Sequence, residues 1–94
     1  MARSSRRDDV LDETELALLR AIAFWRLGTA HAGNRHGLGM AAVDKVHLER
    51  GGGTGDWHIL KRDMPHAMET LVLRGYLDEE AGVVTDEGRR LLDR

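Results

Sequence analysis

The stretch LVLRGYLDEEAGVVTDEGRRLL, Leu71 to Leu92, constrains the architecture more tightly than any other part of the chain. Arg74-Gly75 reads as a helix end, because glycine takes the left-handed conformation that closes a helix without a steric penalty. Tyr76–Asp78 and Val83–Thr85 read as two short strands around a turn at Glu79–Gly82. Thr85 can then cap a last helix, DEGRRLLDR, in which Asp86 and Glu87 come first and Arg89, Arg90 and Arg94 follow. That order suits the helix dipole. A helix, a tight hairpin and a second helix leave few layered arrangements for the remainder.

Upstream, DETELALLRAIAFWRLG predicts a first helix. Asp12 and Glu15 stand at the spacing of a capping box. Leu16, Leu19 and Ala23 recur at helical spacing beside Leu18, Ile22 and Trp25, and Gly28 reads as the stop. TAHAGNRHG is a polar connection. LGMAAVDKVHLER predicts a second helix, with Met40, Ala42, Val43 and Val46 along one side, and GGGTG ends it. A third helix is expected from Met64, Ala67, Met68, Leu71 and Val72. Pro65 belongs in its first turn, which places the start at Lys61–Asp63 with Asp63 as N-cap and DWHIL as a connector. The expected fold is mainly α with a small β-hairpin, in the order helix, helix, helix, hairpin, helix. A helix-turn-helix followed by a hairpin is the winged-helix plan.

The chain of 94 residues is one domain near the lower end of what sustains its own core. Residues 1–11 read as a flexible basic arm and 12–94 as the folded domain. The start MARSSRRDD has no apolar run behind it, so no secretory signal is expected. Nothing approaches the roughly 18 apolar residues of a membrane span. Without cysteine there are no disulfides or thiolate sites, which fits a cytoplasmic protein. The net charge of −2 is unevenly spread. Positive charge gathers in residues 1–7 and 26–62, negative charge in 8–25 and 76–88.

LALLRAIA, RHGLGM, MPHAMETLVLRGYL and VTDEGRRLL together resemble the PadR-type branch of winged-helix transcription regulators, over roughly Leu16 to Leu92. The pair His36-Gly37, the helix end at Leu71–Gly75 and the phrase Val84-Thr85-Asp86-Glu87-Gly88-Arg89 carry the likeness. The latter part is common to many winged helices, including the MarR type. The resemblance implies sequence-specific binding to double-stranded DNA by a repressor-like regulator acting as a homodimer, with the third helix in the major groove. Three features depart from the family pattern, one being that a single short helix follows the hairpin where the family usually dimerises through a longer C-terminal helical region. ERGGGTGDWHIL is a longer link than expected, and the hairpin turn carries Asp78, Glu79 and Glu80 where basic residues are usual.

On this mapping Lys61, Arg62, His66 and Thr70 are the principal base and phosphate readers, flanked by Glu69 and Leu73. Lys45 and Arg50 are candidate phosphate contacts, and Arg3, Arg6 and Arg7 form an arm able to enter a minor groove. The plainer reading is a solvated helix face and an ordinary polar tail. The acidic turn would repel phosphate, so it is expected to stand away from DNA or to dock a basic protein. A protein-interaction module using that turn and the first helix, with exposed Phe24, is the main rival function. The histidines His31, His36, His47, His58 and His66 show no metal-site spacing, and His36 is expected to help close the turn into the second helix. Trp25, Trp57, Met64 and Met68 could line a ligand pocket but read more simply as core. No catalytic constellation and no cofactor motif is present, so an enzyme is not expected.

Overall fold

In the computed structural model, which describes residues 11–93, Asp12 and Glu15 form the reciprocal cap expected of them. The Glu15 N–H donates to Asp12 Oδ1 at 2.7 Å, and the Asp12 N–H donates to Glu15 Oε1 at 3.0 Å. Two orphan donors are satisfied, and helix α1 runs Glu13–Trp25 behind them. It stops earlier than Gly28. Arg26 takes the left-handed conformation, φ 52°, and its N–H bonds the Ile22 carbonyl. Gly28 instead opens a short helical turn, α2, Gly28–His31, inside the stretch expected to be an irregular connection. Leu11, counted with the arm, is buried in the core.

Helix α3 spans Arg35–Glu49. Asn34 caps it by accepting the Gly37 N–H at 2.9 Å, so Asn34, and not His36, closes the turn. The face made of Leu38, Ala42, Val43 and Val46 is buried. Gly39 lies against Met64 and Met68 so closely that a Cβ there would meet the Met64 side chain, which sets how near the next helix can come.

That next helix corrects the sequence reading. Helix α4 runs Thr54–Leu73, with Gly53 as N-cap and Pro65 in its interior. DWHIL is helix and not connector, and Asp63 is not a cap. An internal proline costs a helix about 3 kcal/mol. The stripe Leu60, Met64, Ala67, Met68 and Leu71 is buried along its whole length, with Trp57 half-buried one turn earlier. Fully burying one such side chain is worth about 1.5–3 kcal/mol, so the continuous stripe outweighs the single proline.

Helix α4 ends as anticipated, in a Schellman arrangement. Gly75 has φ 79°, the Tyr76 N–H bonds the Leu71 carbonyl at 2.9 Å, and the Gly75 N–H bonds that of Val72 at 3.1 Å. Strands β1, Leu77–Asp78, and β2, Val83–Val84, pair antiparallel with Leu77 opposite Val84. Thr85 caps α5, Asp86–Leu92, through the Gly88 N–H. Helices α1, α3 and α4 pack on one another around the core, and Leu77 and Val84 close it from the hairpin side. No helix of the described residues is long and apolar enough to cross a membrane.

Candidate nucleic-acid interface

Burial along α4 decides which side faces out. With Leu60, Met64, Ala67, Met68 and Leu71 turned inward, the exposed positions beyond Gly55 are His58, Ile59, Lys61, Arg62, Pro65, His66, Glu69 and Leu73. Of the four expected readers, Lys61, Arg62 and His66 are exposed and Thr70 is half-buried. Arg62 and Lys61 are tethered. Arg62 Nε bonds Asp63 Oδ1 at 3.0 Å, and that hydrogen bond, with the adjacent charge, raises the guanidinium pKa further. Lys61 Nζ lies 5.0 Å from the centre of the Trp57 ring.

The other expected basic contacts are also held. Lys45 Nζ lies 4.4 Å from the centre of the Trp25 ring. The two indoles are themselves tied to α3, Trp57 Nε1 donating to Asp44 at 3.3 Å and Trp25 Nε1 to Glu49 at 3.4 Å. Cation–π contacts at exposed sites are worth about 0.5–1 kcal/mol, little enough for either lysine to leave its ring for a phosphate. Arg50 caps the end of α3 and reaches Asp56 at 3.0 Å and Glu13 at 3.8 Å, linking three helices. Arg3, Arg6 and Arg7 lie outside the described residues.

Of the expected contacts, Arg62 and His66 line two clefts that share His66, while Lys61, Thr70, Lys45 and Arg50 line neither. The larger, about 510 Å³, opens between the start of α3 and the middle of α4, and is lined by Arg35, His36, Met64, Pro65, His66, Met68 and Glu69. The smaller, about 370 Å³, lies between α4 and the start of α1, and holds Arg62 and His66 with Asp12, Glu15 and Asp63. Two of those three acids are occupied in the α1 cap. Met64 and Met68 belong to the core at the cleft floor, whereas Trp25 and Trp57 lie elsewhere, so the four do not form one ligand pocket. Among the described residues no three His, Asp or Glu side chains come together as a metal site.

Sequence reasoning missed Arg35. Its guanidinium grips Glu79 of the hairpin turn with two bonds, Nε to Oε2 at 2.7 Å and Nη2 to Oε1 at 2.6 Å. Those hydrogen bonds, with the charge behind them, raise the Arg35 pKa and hold the Glu79 carboxyl below the usual carboxylate range. Asn34 three residues before Gly37 is a capping signal that puts Arg35 in a first helical turn, yet nothing local announces a partner 44 residues away. The hairpin turn therefore presents less acid than its sequence suggests. Glu79 is engaged, Asp78 accepts the Glu80 and Ala81 N–H groups at 3.1 Å, and Asp78 and Glu80 both remain exposed.

No known protein family matches the chain, and no curated protein or solved structure matches it either.

Proposed function

We propose that this chain is a small winged-helix domain that binds double-stranded DNA sequence-specifically, as a repressor-like transcriptional regulator of the PadR-like kind. In this reading α3 and α4 are the helix-turn-helix and the hairpin is a shortened wing. The observation that carries the reading is the shared cleft. Two consecutive helices bring Arg35, His36 and His66 around one opening, and the exposed side of α4 continues it to Arg62. Side chains of these types bond phosphates and base edges. Lys61, Arg62, His66 and Thr70 are the readers, and Lys45 and Arg50 reach flanking phosphates once released from Trp25 and Asp56. The test is selection of bound duplexes from a random pool, followed by the double variant Lys61→Ala, Arg62→Ala. A recovered consensus, with affinity about tenfold or more weaker in the variant, supports the reading. Recovery of random sequence, or equal affinity, contradicts it.

A homodimer accompanies this proposal, since a single small module covers too little DNA for selective binding. Phe24 and Leu48 are 72% and 68% exposed, and Trp25 packs edge-on against Phe24. The same apolar end of α1 supports the second reading, a protein-interaction module. With Glu79 engaged by Arg35, that reading rests on Phe24 and Trp25 more than on the acidic turn.

A further inference from the structure

The hairpin is fastened to the segment before α3 in more than one way. The Gly33 N–H bonds the Glu79 carbonyl at 2.8 Å, and the main chains of Gly28 and Gly82 lie in direct contact. Both attachments are backbone, and neither needs the Glu79 carboxylate. The side-chain pair comes in addition to them. It is partly open, with Arg35 and Glu79 side chains 38% and 26% exposed, and Arg35 also lines the cleft that leads to His66. The guanidinium presents Nε and Nη2 to Glu79, the two-pronged edge that a phosphate diester accepts equally well.

We infer that Arg35 is a phosphate-binding residue of the DNA interface, kept occupied by Glu79, and that the acidic turn limits affinity by competing with the DNA backbone for that guanidinium. The inference rests on the DNA-binding reading. Because the backbone attachments hold the hairpin in place, the carboxylate can be exchanged for a phosphate without unfolding the turn. This gives the acidic turn a role on the DNA side of the molecule: it sets the strength of one contact.

The probe is a labelled random-sequence duplex, with binding measured across a salt series. Glu79→Gln frees the guanidinium and is expected to bind about tenfold more tightly, with a salt dependence steeper by about one released counterion. Arg35→Met combined with Glu79→Gln is expected to lose that gain. Glu80→Gln removes the same charge from the same turn without freeing Arg35, and is expected to gain much less. Protection of the Gly33 amide against exchange should persist in Glu79→Gln, which separates release of the side chain from loss of the hairpin. If the unaltered protein binds but Glu79→Gln matches it, or Glu80→Gln gains as much, the inference is overturned while the DNA reading stands. If neither protein binds the duplex at low salt, the DNA reading fails and the inference goes with it.

Discussion

Gly28 and Gly82 meet main chain to main chain, so that a Cβ on either would overlap the backbone of the other. Glycine at both positions is thus a condition for seating the hairpin against the turn that follows α1. Gly28→Ala is expected to destabilise the fold by about 1–3 kcal/mol, the usual range for overpacking. For a domain of this size each kcal/mol lowers Tm by about 4–8 °C. Thermal unfolding measures it, and faster exchange of the Gly33 amide would locate the damage at the hairpin. An unchanged Tm would mean that the two segments part without cost.

Pro65 lies in the interior of α4 and is exposed. It supplies no N–H to the Lys61 carbonyl one turn earlier. Pro65→Ala restores that bond, at the price of a more flexible unfolded chain, which gives back about 1 kcal/mol. Set against the roughly 3 kcal/mol cost of an internal proline, a net stabilisation of about 2 kcal/mol is expected in urea unfolding. A loss of stability would show that contacts of the proline ring at the cleft outweigh the missing bond.

The Arg35–Glu79 pair makes stability depend on pH with a definite sign. The folded pKa of Glu79 lies below its unfolded value, because Arg35 bonds and attracts the charged form. Its contribution is therefore complete above the unfolded carboxylate pKa and disappears as pH falls through the folded one. Glu79→Gln should be less stable than the unaltered protein near neutral pH, by no more than about 1 kcal/mol for so open a pair. The two should converge in acid. A difference that grows as pH drops would contradict the assignment.

On the dimer proposal, Phe24→Asp puts a charge into the apolar end of α1. Sedimentation should show the unaltered protein associating with increasing concentration and the variant remaining a monomer, with little change in Tm because Phe24 is exposed. Identical sedimentation of the two would remove Phe24 from any self-association.

What the sequence made legible was local. The Asp12–Glu15 capping box, the cap at Thr85 and the close of α4 at Gly75 all involve partners within a few residues, and each appears in the structure as read. Residue chemistry at close spacing was sufficient there. The start of α4 was misread because a proline was weighed by its local penalty, while Leu60 and Trp57 extend the buried stripe across it. Gly28 was misread for a related reason. It resembles a helix stop, and its real constraint is contact with Gly82, remote in sequence. Lys61, Arg62 and His66 were correctly placed outside the core, but the tethering of Lys61 to Trp57 and of Arg62 to Asp63 required the full helix to be seen. Arg35 was invisible as a site residue because its significance comes from a hairpin on the other side of the core sequence.

Twenty residues of α4 span about 30 Å, and the proline divides that span into two lengths. The upstream length is moored to α3 through Asp56 and Trp57, and the downstream length is packed into the core by Ala67, Met68 and Leu71. Between Lys61 and Pro65 the helix lacks the backbone hydrogen bond that a residue other than proline would supply. Lys61 and Arg62 stand on that step and His66 and Thr70 just beyond it, so the geometry of the proline turn sets the spacing between the two pairs.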